Sequence, residues 1–221
     1  VWAEQAIFTS LVRRGRGGYH LVSRSKGVVE TDAQALARWS PSHGGLIVGE
    51  TNRTSVNFHP LPSGRFALSR TCEGPPEYSG RGGRQLYTHS LIIEDAALES
   101  VGYHPFLIYR DAMALGYLVY QQNPKEVLEP VRLSRLHPRH DLEYWAARAR
   151  QLDPVNPRLL LDRLVAGQPV RYVYNGNRTQ LAECLIGMLP PQAARRASFA
   201  TSLVPALARP FALSLVSAEF R

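Results

Sequence analysis

The stretch 84–94, RQLYTHSLIIE, leaves this chain the fewest choices. Successive residues of a strand point to opposite faces. One side of this run carries Leu86, Thr88, Ser90 and Ile92, and the other carries Tyr87, His89, Leu91 and Ile93. Both sides are partly apolar, which suits a strand in the middle of a sheet with material packed on each face. The 221 residues, 44% of them apolar, can bury such a sheet as one large domain or two small ones.

The rest of the first half supplies partners for that strand. EQAIFTSLV (4–12) and YHLVSRS (19–25) read as one hairpin, and SVNFHPL (55–61) with GRFALSRTC (64–72) as a second, turned at Pro-Ser-Gly. A short helix between them is expected to start with Thr31 as N-cap and Asp32 at its positive end, and to stop before Pro41. The middle reads as helical over 95–100 and 105–120. An extended crossing loop follows over 123–140. DLEYWAARARQLD (141–153) is amphipathic, with Leu142, Trp145, Ala149 and Leu152 on one stripe. NPRLLLDRLVAG (156–167) has Pro157 at its start and Gly167 past its end, as helices do. The last third changes period again, with a strand at 169–174, a helix at 178–190 and strands at 197–203 and 210–216. The expected fold is α+β, with a β-rich N-terminal half of antiparallel hairpins, a helical middle and a small strand-helix-strand unit at the C-terminus. Residues 1–110 and 111–221 are expected to form two subdomains packed as one unit.

Chemistry is harder to place. The tetrapeptide GRGG occurs at 15–18 and again at 80–83. Neither copy is followed by lysine, and both lead into strands, so neither is a phosphate loop at a helix N-terminus. Their glycines and the flanking Arg13, Arg14, Arg16, Arg81 and Arg84 could still grip an oxyanion; equally, they are tight turns with charged rims. Arg195 and Arg196 form another basic step, able to cap the preceding helix or to meet a partner. His89 could act as a base, but Ser90 faces the other way and cannot pair with it. The alternative for His89 is a satisfied core residue.

His137, His140 and Asp141 cluster without a further ligand at useful spacing, and Asp141 reads as a helix N-cap, so no metal is expected. Arg171, Tyr172, Tyr174 and Arg178 could stack bases or simply form an amphipathic strand. Cys72 and Cys184 read as two buried thiols of a reducing, cytoplasmic compartment. The formal charge is +8, and of 26 basic residues only Lys26 and Lys125 are lysine. Guanidinium groups favour carboxylate and phosphate partners, but the excess is spread along the chain rather than gathered in one domain. No apolar run approaches the ~20 residues that span a bilayer. The chain begins at Val1 rather than Met, as either a trimmed chain or a domain cut from a longer protein would.

Three segments carry a family resemblance: AEQAIFTSLVRRGRGGYHLVSRSKGV, HPLPSGRFALSRT and YSGRGGRQLYTHSLII. Together they resemble the N-terminal domain of bacterial GTPase-associated proteins of NTP-dependent conflict (defence) systems. The later MLPPQAARRASFATSL is similar to a Leu-Pro-Pro…Arg…Ser-Phe-x-Thr step of the same group. The likeness is densest over 3–95. It implies a non-enzymatic adaptor or sensor module acting with a GTPase encoded nearby, and it brings no active site and no cofactor. The residues themselves leave open a nucleic-acid- or nucleotide-binding sensor using the Arg/Gly loops, with weak nucleic-acid binding, and a hydrolase centred on His89.

Overall fold

Strand β5 (Arg84–Ile93) lies between β1 (Trp2–Ser10) and β4 (Phe66–Pro76), antiparallel to both. From Leu86 to Ile93 every side chain of β5 is buried, as its two apolar faces require. The computed structural model describes residues 1–13, 15, 17–77, 83–134, 141–152 and 155–220. Both expected hairpins form: β1 pairs with β2 (Tyr19–Ser25), and β4 pairs with β3 (Thr54–Pro60). The fold is α+β, built on a ten-stranded sheet.

The sheet gathers strands from the whole chain. Within the expected crossing loop, β6 (Val127–Leu128) adds to the end of β2 and β7 (Val131–Arg132) pairs with the start of β1. On the far side β9 (Phe199–Ala200) pairs with β3. Beyond it, β10 (Leu213–Val216) and β8 (Val170–Val173) run parallel to it. The strand order is therefore β6-β2-β1-β5-β4-β3-β9-β10-β8. Only two residues of β9 bridge β3 to β10. Phe199 anchors them, its ring stacked on Phe106 at 4.9 Å and lying 5.8 Å from Phe58.

Helices cover the face that carries Val56, Phe58, Leu68, Leu91 and Ile93. These are α2 (Asp95–Glu99), α3 (Pro105–Ala114), α4 (Leu142–Arg150), α5 (Pro157–Val165), α6 (Arg178–Met188) and α7 (Pro191–Arg196). The α4 stripe is buried at Trp145, Ala149 and Leu152, while Leu142 is exposed. Asp141 caps α4 as expected, its carboxylate accepting from the Glu143 and Tyr144 amides at 3.0 and 3.1 Å. Trp145 packs against Gly187 of α6: a Cβ at that glycine would lie 2.6–2.7 Å from the indole ring. Gly187→Ala is expected to cost about 1–3 kcal/mol through overpacking, read from the denaturant midpoint. An unchanged midpoint would show that the ring yields freely.

On the opposite face α1 (Glu30–Trp39) seats Ala33 and Leu36 against Ala6, Ala67 and Ile92. Beside this small core the sheet is polar yet dry. Ser69 and Ser90 meet at 2.8 Å, Thr71 and Thr88 at 2.9 Å, and Asn57 donates to Thr71 at 3.2 Å. All five are buried, so their mutual hydrogen bonds carry their desolvation.

Three expectations need correction. Val29, not Thr31, stands at the N-cap of α1. Asp32 lies in the first turn of α1, as expected, and its carboxylate also accepts from the Ser63 hydroxyl and Arg65. The helix expected over 105–120 ends at Ala114, where Gly116 takes φ +77°, a conformation that glycine adopts without strain. In the last third the strands are shorter than expected, and α7 forms between them from PQAARR, which opens with proline at its first position.

Candidate functional site: the basic end of the sheet

Because β1 and β5 run antiparallel, with Thr9 opposite Tyr87, the end of β1 and the start of β5 coincide. Each Arg/Gly connection departs from or arrives at that place. The first ends at Tyr19, where β2 begins, and the second ends at Arg84, where β5 begins. Neither opens a helix.

Side chains tie the two connections together. The Gln85 amide donates to the Thr9 hydroxyl at 2.7 Å and to the Ser10 carbonyl. The Leu86 N–H donates to the Tyr19 hydroxyl at 2.9 Å. Burial, with help from Glu77, pushes the Tyr19 phenol up to about 12, so it stays neutral. Gly83 has φ +92°, and a Cβ there would sit 2.3 Å from His43 Cε1. Glycine is needed on both counts. His43 in turn lies 3.9 Å from the Glu77 carboxylate.

The arginines at this end have different employments. Arg13 donates to the Val22 carbonyl at 2.6 Å and to the Pro124 carbonyl, stapling the first hairpin to the chain that approaches β6. Arg84 is half-exposed and only loosely paired with Glu73, at 3.8 Å. Arg14, Arg16 and Arg81 lie outside the described residues, as do His137 and His140.

Two cavities adjoin this end, and they share no residue. One of about 960 Å³ runs along β2 and α1, with Arg13, Tyr19, Arg24 and Lys26 in its wall. The other, of about 570 Å³, lies on the helix-covered face and is lined by Arg53, Arg70, Arg84, Glu73, Cys72 and Tyr120. Of the described rim residues, Arg13 lines the first cavity and Arg84 the second. Arg53 and Arg70 were not legible as site residues. They meet Arg84 only because β3 and β4 pair with Thr54 opposite Cys72 while β4 and β5 pair with Cys72 opposite Tyr87.

The other candidates lie elsewhere. Arg195 grips both oxygens of Asp95 at 2.9 and 3.2 Å and lies over the Tyr103 ring. It is thus tied to the start of α2 rather than capping the helix before it. Asp95 is the second residue beyond the end of β5, so Arg195 is a full strand, roughly 30 Å, from Arg84. Arg196 is exposed and makes no hydrogen bond or ion pair with the described residues. His89 is fully buried. Gln5 donates to the Glu129 carbonyl at 2.6 Å, which turns its amide oxygen toward His89 Nε2 at 2.9 Å. The imidazole therefore donates from Nε2. Burial, reinforced by Arg70 and opposed by the Val119 backbone, holds its pKa down to about 4. His89 is a core residue here and does not reach a surface where it could meet a substrate or a partner.

Tyr172 and Tyr174 pack on the main core, and Arg178 is buried, donating to Ser202 Oγ at 3.0 Å and to the Ile47 carbonyl at 3.2 Å. None of the three presents a stacking surface. Both cysteines are free and buried, and burial pushes their thiols up, Cys184 to about 11.

The fold is that of an α+β domain in which the end of β1 and the start of β5 meet at one end of the sheet. The chain belongs to the GTPase-associated protein 1 family, N-terminal domain type 2, whose family model matches residues 2–133. The match takes in both Arg/Gly connections and the strands around them. No curated protein and no solved structure matches the chain. No helix among the described residues is long and apolar enough to cross a membrane.

Proposed function

We propose that this domain is a non-enzymatic adaptor of a bacterial conflict (defence) system, working in the cytoplasm with a GTPase encoded beside it and with further domains of its own polypeptide. The family name supports association with a GTPase. The observation that supports the contact surface is the pairing of β1 with β5, which brings Ser10, where the first Arg/Gly connection leaves, and Arg84, where the second arrives, to one end of the sheet. The β-rich part, 1–110, supplies this surface, and the part from 111 to 221 backs it as a second subdomain of the same unit. Arg84 gives up little to meet a partner carboxylate, since an exposed ion pair is worth ~0–1 kcal/mol.

The test is a pull-down of the neighbouring GTPase, loaded with GTP or with GDP. Capture is expected in one nucleotide state. Arg81→Gln with Arg84→Gln should weaken it at least tenfold, about 1.4 kcal/mol, without lowering the melting temperature. Failure of capture in both states would sink the adaptor reading. So would tight, salt-resistant binding of one RNA, because generic phosphate contacts weaken steeply with salt. A double variant that melts early and still captures the GTPase would make these arginines structural.

A further inference from the structure

Apart from Arg84, the residues lining the second cavity are not used by the adaptor reading. Arg53, Arg70 and Arg84 face it with Glu73 as the one carboxylate in its wall. Neither Arg53 nor Arg70 makes an ion pair with any described residue. Arg70 is held in place instead: its guanidinium donates to the Leu118 carbonyl at 3.1 Å and lies beside the Tyr109 phenol and the Cys72 thiol. A guanidinium fixed by neutral acceptors keeps its charge uncompensated, and its remaining donors are available to an oxyanion. Arg84 is bound to Glu73 only at 3.8 Å and can turn.

The rest of the wall is of another kind. Met113, Val119 and Tyr120 come from the end of α3 and the chain beyond it, and they offer apolar surface and a ring. Tyr87 meets the Tyr120 ring edge-on at 5.0 Å, which steadies it. A cavity of about 570 Å³ falls inside the ~300–1,000 Å³ usual for small-molecule sites. Cationic forks together with an aromatic ring and apolar surface suit a ligand that carries both an anionic group and a flat ring.

We propose that this cavity binds a small phosphorylated ligand with a flat ring, a nucleotide by chemical class. The phosphates lie against Arg53, Arg70 and Arg84, and the ring lies against Tyr120. The site shares Arg84 with the adaptor surface, but Arg53, Arg70 and Tyr120 are its own, and a ligand can be tested on it with no partner present.

The experiment is calorimetric titration of the chain alone, with no GTPase present, using guanosine and adenosine 5′-diphosphates, guanosine and inorganic pyrophosphate as probes. At least one diphosphate is expected to bind at one site per chain, and more tightly than pyrophosphate or guanosine. Arg53→Gln with Arg84→Gln, both at exposed positions, should weaken it at least tenfold. Tyr120→Leu should weaken the nucleotide at least fivefold while leaving pyrophosphate unchanged. Binding of neither diphosphate overturns the proposal, and so does equal affinity for pyrophosphate. Nucleotide affinity that survives in the folded double variant overturns it as well.

Discussion

Between pH 6.5 and about 4 the fold is expected to lose several kcal/mol of stability, and two buried imidazoles are the cause. His59 and His89 both have their pKa pushed down from 6.5 to about 4, chiefly by burial. Above pH 6.5 each ring is neutral in the folded and the unfolded chain, so protons favour neither state. Below it the unfolded chain takes up protons that the folded one refuses, and stability falls with pH. Once the pH passes below about 4 the folded rings protonate too, and the loss from these groups levels off. Each shift is worth on the order of 3 kcal/mol, and a domain commonly has only ~5–15 in hand. Denaturant midpoints measured from pH 7 to pH 4.5 check this. His59 is boxed between Trp39 and Phe211 at ring distances of 5.0 and 5.9 Å, so His59→Phe should flatten the acid limb by about half. A midpoint that does not move over this range would refute the assignment.

Asp32→Ala is expected to cost about 3–5 kcal/mol, the usual result of breaking a buried ion pair from one side. The Asp32 side chain is fully buried in the first turn of α1. It accepts from the Ser63 amide at 3.0 Å, the Ser63 hydroxyl at 2.7 Å and Arg65 at 2.9 Å. One carboxylate thus fixes the turn between β3 and β4 onto the helix. Removing it strands Arg65, which is left with Glu94 at 3.8 Å and the Gly27 carbonyl. Asp32→Asn keeps an acceptor and should lose less. Equilibrium unfolding of the two variants decides the matter, and a loss under about 1 kcal/mol for the alanine would show that the pair contributes nothing net.

Local patterning carried the fold wherever one face or one punctuation mark decided the outcome. The double-faced run at 84–94 announced the central strand, and Pro-Ser-Gly announced the hairpin that Asp32 later clamps. Asp141 and Pro157 marked helix starts. What escaped depended on partners distant in sequence. Asp32 reads as a first-turn acid, and nothing near it reports its bonds to a turn some thirty residues away. The strand β9 is two residues long and exists because β3 and β10 hold it from both sides.

The site was legible only in part. The two GRGG copies led to one end of the sheet because each abuts a strand. Arg53 and Arg70 have no motif around them, and only strand register brings them to Arg84. His89 shows the reverse case, a residue rich in chemical promise that the fold places out of reach. Nothing in the local sequence reports that Gln5, eighty-four positions away, holds its ring.

The bridge through β9 has one more consequence. Beyond β9 the chain returns as Thr201, whose hydroxyl accepts from the Val56 amide at 2.9 Å and whose N–H donates to the Val56 carbonyl at 3.1 Å. Residues 199–201 thus seal the outer margin of β3. A polypeptide cut where the family match stops, at residue 133, would leave that margin bare beside the apolar rings of Phe58 and Phe66. An open strand edge next to exposed aromatics invites other chains to add themselves. A chain ending at residue 133 is therefore expected to self-associate more readily than the longer one, which gel filtration of the two would read.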